Sequence, residues 1–240
     1  MHKELRLDFD IQAQPDEVTC GPTCLHALYQ YYKDSITLTE VIKQTRSLRG
    51  GGTLAVMLGS HALKRGYKAT IFTYNLNVFD PSWFNYSSAK MVKFLKEQMK
   101  VKANREKLIV ASKGYIKFLE LGGELRYAEL DDALIKSFLT RSLPVLTGLS
   151  ATYLYGTPRE TPDLNTYDSI KGDPAGHFVV INGYDDEKNW AYLADPMTPN
   201  PLNKGQIYGV NFNRLINSIM LGIITYDANL LIVEPKDDAR

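Results

Sequence analysis

The chain contains two cysteines, Cys20 and Cys24, and both lie in the run Gln14-Pro15-Asp16-Glu17-Val18-Thr19-Cys20-Gly21-Pro22-Thr23-Cys24. Cys20 stands where a helix is expected to begin. Cys24, Ala27, Leu28, Tyr31 and Tyr32 follow at spacings of three and four, so the run to about Lys33 reads as an amphipathic helix with Pro22 in its first turn. Free amides and the dipole at a helix N-terminus favour negative charge, and so favour a thiolate over a thiol. A thiolate is a nucleophile, which makes Cys20 the first catalytic candidate. The side-chain amide of Gln14, six residues upstream, is the candidate donor to an oxyanion, together with the backbone N–H of Cys20. Cys24, one turn further on, is assigned to the core as a small apolar residue.

A nucleophile of this kind needs a base, and the base needs an orienting partner. His177 opens a predicted strand to about Gly183, and Asp195 closes the next, Asn189 to Asp195, with a polar turn at Asp185-Asp186-Glu187-Lys188 between them. With the hairpin closed at that turn, His177 and Asp195 are expected directly opposite one another. Their Cβ atoms would then be about 4.5–5.5 Å apart, close enough for a carboxylate to hold an imidazole. His177 would take the proton of Cys20 and Asp195 would fix its tautomer. A zinc reading of Cys20, Cys24 and His177 lacks a fourth ligand, and the chemistry requires no metal or organic cofactor. His26 is expected on a surface or half-buried face of the helix, and His61 in packing.

These residues must be positioned by the elements around them. Thr37 to Glu40 has the capping-box pattern of a helix running to about Thr45. Gly50-Gly51-Gly52-Thr53 reads as a turn, since the Lys-Ser/Thr ending of a phosphate loop is missing. Leu54 to Leu63 has helical spacing that stops at Gly66, and Lys68 to Tyr74 reads as a strand. Phe79 to Tyr86 is an aromatic loop, Lys90 to about Lys102 a basic helix, and Ile109 to Leu121 fits helix or strand equally. Leu130 to Thr140 is helical and Leu143 to Leu149 a buried strand. Tyr153 to Gly176 reads as a long surface loop of the kind that covers or binds at a site, with Tyr153, Tyr155 and Tyr167 either contacting substrate or packing the loop onto the body, and Asp163, Asp168 and Asp173 shaping access. Arg214 to Leu221 is a short helix, and Ile223 to Val233 is a last strand or a bent pair.

With 240 residues, 44% of them apolar, and a formal charge of +1, the composition supplies an ordinary core and no general attraction to nucleic acid or an anionic membrane. The N-terminus lacks the long apolar run of a signal peptide, and no run approaches the ~20 apolar residues of a membrane span, so a cytoplasmic location is expected. Two cysteines make no disulfide scaffold.

Gln14 with Cys20-Gly21 six positions on, the Gly52-Thr53-Leu54 to Gly66-Tyr67-Lys68-Ala69 segment, and His177-Phe178-Val179-Val180 followed by Ala194-Asp195-Pro196 carry a resemblance. Over roughly residues 10–74 and 125–200 the chain resembles the bacteriocin-processing cysteine peptidases that cut after double-glycine leaders, family thirty-nine of the cysteine peptidases. The resemblance implies an α+β, papain-like fold in one domain over residues 1–240. A helical lobe at about 10–74 would carry Cys20, and an antiparallel sheet lobe at about 126–235 would carry His177 and Asp195. A segment at about 75–125 would be inserted between them. It also implies Cys20 as nucleophile, His177 as base, Asp195 as orienter and Gln14 as oxyanion donor, acting on a peptide or related amide through a thioester. Familiar members are often the front end of a membrane exporter, whereas this chain is expected to be a free-standing relative. An acyltransferase or transglutaminase-like enzyme, or an inactive peptide-binding module, would use the same constellation differently.

Overall fold

Each strand alternates its side chains between two faces, and each helix buries the stripe that meets one of them. The computed structural model describes residues 4–48, 51–161 and 166–236. Gly50 of the glycine run and Asp163 of the long loop lie outside the described residues. The chain begins with β1 (Glu4–Arg6), α1 (Cys20–Tyr31), α2 (Leu38–Gln44), α3 (Ala55–Lys64) and β2 (Lys68–Thr73). A 3-10 turn at Pro81–Asn85 leads into α4 (Ser88–Val101), α5 (Glu106–Glu120), β3 (Glu124–Arg126), α6 (Asp132–Leu139) and β4 (Val145–Ser150). Then come α7 (Ala151–Tyr155), a small hairpin of β5 (Glu160–Thr161) and β6 (Thr166–Tyr167), β7 (Gly176–Asp185), β8 (Trp190–Ala194) and β9 (Ile207–Asn211). The chain closes with α8 (Phe212–Leu221), a 3-10 turn at Gly222–Thr225 and β10 (Asn229–Glu234). No helix among the described residues is long and apolar enough to cross a membrane.

Eight strands form one sheet in the order β3-β2-β10-β4-β7-β8-β9, with β1 paired to the far half of β7. All pairings in it are antiparallel except that of β2 with β3. One face of the sheet, through Leu146, Phe178, Val180, Leu231 and Val233, packs against α1, α3, α4 and α5. The other, through Val145, Leu149, Val179, Ile181 and Ile232, packs against α6, α7 and α8. Strand β2 belongs to this sheet although it comes from the first third of the chain, because its alternating residues Ala69, Ile71 and Phe72, Tyr74 fill both cores.

The segment read as an insertion contributes Met91, Leu95, Leu108, Ala111 and Phe118 to the same core as α1. The segment at 109–121, which fits either structure by sequence, is helical to Glu120 as part of α5, since Leu108, Ala111, Tyr115, Phe118 and Leu119 make one buried stripe. The capping box is complete: Thr37 Oγ1 accepts from Glu40 N and Glu40 Oε2 accepts from Thr37 N.

Two expectations are corrected. Helix α1 is not one-sided, because every residue from Cys20 to Tyr29 is buried between the sheet and its neighbours α2 and α3. His26 is therefore 4% exposed, inside the fold, where burial lowers its pKa. The hairpin register also differs. The turn spans four residues, closing at Asp185 opposite Trp190, and β7 bulges between Ile181 and Gly183. Val180 then faces Ala194, so that Asp195 lies alongside Val179, two residues from His177 and diagonal to it. The bulge decides the face: continuing the register of the turn without it would set Asp195 beside Val180, on the side away from His177.

Close approach of α1 depends on Gly21. A Cβ there would lie 2.6 Å from Thr53 Cγ2 and 3.2 Å from both Leu58 Cδ1 and Phe178 Cδ2. Gly21→Ala is therefore expected to lower unfolding stability by about 1–3 kcal/mol, measured by urea denaturation, as α1 is pushed off the sheet beside Cys20. Unchanged stability would mean that the contact relaxes without moving the helix.

Candidate active site

Cys20 is the first residue of α1 and His177 the second residue of β7. One turn further along α1, Cys24 Sγ donates to the carbonyl of Phe178 at 3.2 Å, so helix and strand are tied together next to both residues. The helix start is shaped by Asp16, whose Oδ1 accepts from Val18 N at 3.0 Å and whose carbonyl accepts from Thr19 Oγ1 at 3.3 Å. Thr19, the N-cap, makes no side-chain cap bond, which leaves the first-turn amides uncapped by its hydroxyl. The backbone N–H of Gln14 donates to Pro196 O at 2.9 Å, which joins the segment before Cys20 to the segment after Asp195.

His177 is 3% exposed and donates Nε2–H to Asp195 Oδ1 at 2.8 Å. Cys20 lies near enough to the ring for its charge to act on it. Burial alone disfavours the imidazolium, but the charges of Asp195 and Cys20 and hydrogen bonds to both outweigh it and push the histidine up to about 10. The arrangement can therefore hold an imidazolium between Asp195 and Cys20.

Asp195 is fully buried and is met by five donors. Oδ1 accepts from His177 and from Met197 N at 3.0 Å. Oδ2 accepts from Tyr208 Oη at 2.6 Å, Tyr155 Oη at 2.8 Å and Asn200 Nδ2 at 2.9 Å. Burial pushes the carboxyl up, yet the His177 charge and these hydrogen bonds outweigh it and hold the group at about 2. A folded pKa below the unfolded one stabilises the native state above pH ~4 and loses that contribution as pH falls through about 2. The difference is worth about 2 kcal/mol. Urea unfolding between pH 5 and pH 2 is expected to show the wild type losing about that much more stability than Asp195→Asn. Parallel curves would assign the acid sensitivity elsewhere.

Of the four candidates, Cys20, His177 and Asp195 are brought together. Gln14 lies on the adjoining turn, where its Nε2 donates to Asp16 O at 2.9 Å and its Oε1 is buried without a hydrogen-bond partner. Cys24 points into the core, where burial pushes its thiol well above the ordinary value. His61 is a packing residue between Tyr29 Oη at 2.8 Å and Gln44 Oε1 at 3.2 Å. Tyr155 is not a residue of an exposed loop but part of α7, with its ring 6.1 Å from that of His177. Tyr208 and Asn200 were not foreseen. The glycine at the centre of Ile207-Tyr208-Gly209-Val210-Asn211 obscured the alternation of β9. The remainder of the long loop is built on itself, with Glu160 and Asp173 exchanging main-chain hydrogen bonds and Asp168 Oδ1 accepting from Ile170 N and Lys171 N.

Overlaid on solved structures, the chain matches a C39-like peptidase from Bacillus anthracis at a TM-score of 0.53, with 14% identity, over 97% of this chain and 98% of that one. The fold is papain-like. Xylellain, a cysteine protease from Xylella fastidiosa, matches at 0.49 with 15% identity, covering 97% of this chain and 85% of its own. A double glycine motif protease from an AMS/PCAT transporter, in complex with the leader peptide, matches at 0.46 with 14% identity, over 98% and 99% of the two chains. These two overlay too loosely to add to the assignment of the fold. No protein-family model and no curated protein matches the chain. Within the papain-like fold, His177 and Asp195 stand at one end of the central sheet with the N-terminus of α1 before them.

Proposed function

We propose that this chain is a cysteine peptidase or amide hydrolase in which Cys20 is the nucleophile, His177 the general base and acid, and Asp195 the residue that orients His177. The observation that carries this reading is the 2.8 Å bond from His177 Nε2 to a five-donor carboxylate, with Cys20 near enough for its charge to act on the ring. In the first half-reaction Cys20 Sγ attacks the carbonyl carbon of a peptide or related amide. The developing oxyanion is met by the backbone N–H of Cys20 and by the second amide hydrogen of Gln14. Collapse breaks the C–N bond as His177 protonates the leaving amine, and a thioester remains on Cys20. Water, deprotonated by His177, then attacks the thioester and releases the acid and the thiol. The motifs around Gln14, Cys20, His177 and Asp195, with the papain-like fold, support placing the chain near the double-glycine leader peptidases.

The test is labelling of Cys20 with a thiol-directed activity probe, followed by screening of the purified protein against a peptide library. Labelling at Cys20 with cleavage of a defined peptide set supports hydrolysis. Transfer of the acyl group to an added amine in preference to water would replace it with acyl transfer. Peptide binding with an unreactive Cys20 would leave a binding module.

A further inference from the structure

Asp227 follows the 3-10 turn at Gly222–Thr225 and precedes β10, and it is 5% exposed. Its Oδ2 accepts from Thr225 Oγ1 at 2.7 Å, the one hydrogen bond to its carboxyl among the described residues. No lysine or arginine among the described residues forms an ion pair with it. The residues on either side, Tyr226 at φ 69° and Ala228 at φ 22°, both have the positive φ that side chains other than glycine rarely adopt. A buried carboxyl without a cation, held on strained backbone, opposes folding, and such strain concentrates at functional sites.

Room for the side chain is made by two glycines on neighbouring strands. A Cβ on Gly148 of β4 would lie 2.8 Å from Asp227 Cβ, and one on Gly176 of β7 would lie 2.3 Å from Asp227 Oδ2. Gly176 immediately precedes His177. The carboxyl is thus packed against the main chain that carries the imidazole. Burial raises Asp227 to about 7, against the opposing pull of the Thr225 hydroxyl and the His177 charge. The other titratable group facing it is Tyr115 of α5, whose phenol is pushed up to about 12, first by burial and then by the charge of Asp227.

We propose that Asp227 is a second acid behind His177, a positioning residue that supports the Cys20–His177 ion pair through its charge and ties the reactivity of Cys20 to its own ionisation. The proposal rests on the roles given above to Cys20 and His177. With Asp227 protonated, the imidazolium has the support of Asp195 alone. With Asp227 ionised, the imidazolium gains a second negative charge, the ion pair is more populated, and Cys20 reacts faster. Reactivity should therefore rise as pH passes upward through the ionisation of Asp227.

The experiment needs no substrate. Second-order rates of Cys20 alkylation by iodoacetamide are measured from pH 5 to pH 9 for the wild type, Asp227→Asn and Thr225→Val, with the His177 ring titrated by NMR in each over a range that extends above its titration at about 10. The wild type is expected to show a rising step near pH 7. Asp227→Asn should lose the step, match the wild type below pH 6, react about three- to tenfold more slowly at pH 8, and lower the His177 titration by about one unit. Thr225→Val removes the hydroxyl that favours the ionised form, and should move the step to higher pH. Superimposable profiles in folded variants, or one uniform reduction at every pH, would overturn the proposal. If wild-type Cys20 reacts no faster than a free thiol, the nucleophile assignment fails instead. The His177 titration then still decides for Asp227, a shift in Asp227→Asn supporting it and no shift overturning it.

Discussion

Cys20→Ala is expected to abolish turnover on any peptide the wild type cleaves, to the limit of detection, with stability little changed. The sulfur is the atom that carries the acyl group in the proposed mechanism, and nothing else within reach of His177 replaces it. Substitutions of this kind in covalent triads remove essentially all chemistry by the nucleophilic route and leave a residue from binding and the oxyanion site. The companion variant separates chemistry from packing. Cys24→Ala deletes a buried thiol that donates to Phe178 O, so it should lower stability by about 1–2 kcal/mol and retain most activity. Steady-state kinetics on a peptide from the library screen, together with urea denaturation, measure both. Equal activity of the wild type and Cys20→Ala would sink the mechanism, and loss of activity in a well-folded Cys24→Ala would move the chemistry to the wrong cysteine.

Asp195→Asn is expected to lower kcat by about 10²- to 10⁴-fold while the chain still folds. Five donors converge on this carboxylate, and an amide cannot accept from all of them. If the amide nitrogen takes the position of Oδ1, His177 Nε2 must become the acceptor. The ring proton then moves to the nitrogen facing Cys20, which can no longer take the thiol proton. If the nitrogen takes the position of Oδ2, it meets three donors in Tyr208, Tyr155 and Asn200. The two hydroxyls can rotate to accept, but the Asn200 amide nitrogen cannot. Either outcome also removes the negative charge that raises the basicity of His177. A fall in kcat with KM little changed, and a lower His177 titration by NMR, are the expected results. Unchanged kinetics in a folded variant would make Asp195 a structural residue.

How far the primary structure reveals this arrangement depends on which interactions are local. The helix at Cys20, the capping box at Thr37, the strand carrying His177 and the strand that ends just before Asp195 are legible because periodicity and punctuation act over a few residues. The donors around Asp195 were not, since Tyr155, Asn200 and Tyr208 come from a helix, a turn and a strand that meet only in the folded chain. Asp227 was invisible for the same reason, and the glycines that admit it are 79 and 51 residues away in the chain. The burial of His26 follows from α1 lying between the sheet and two other helices, which no pattern within α1 could report. The register is a different case. Asn182-Gly183 inside an apolar run is a local hint of a bulge, and it also resembles a strand end, which hides the shift in register.

That bulge is braced from outside, with Leu7 N donating to Asn182 O at 2.8 Å and β1 pressed so close that a Cβ on Gly183 would stand 2.4 Å from the Leu5 carbonyl. Its presence gives the β7–β8 hairpin a reading frame. With the turn unchanged, a single residue gained or lost in β7 between the bulge and the turn, or in β8, would carry Asp195 to the opposite side of the sheet from His177. Changes of two residues, or one residue offset by loss of the bulge, would keep the pair in phase. In relatives of this chain, length variation within these two strands should accordingly come in even steps, or in odd steps matched by a bulge gained or lost, while the turn can vary freely.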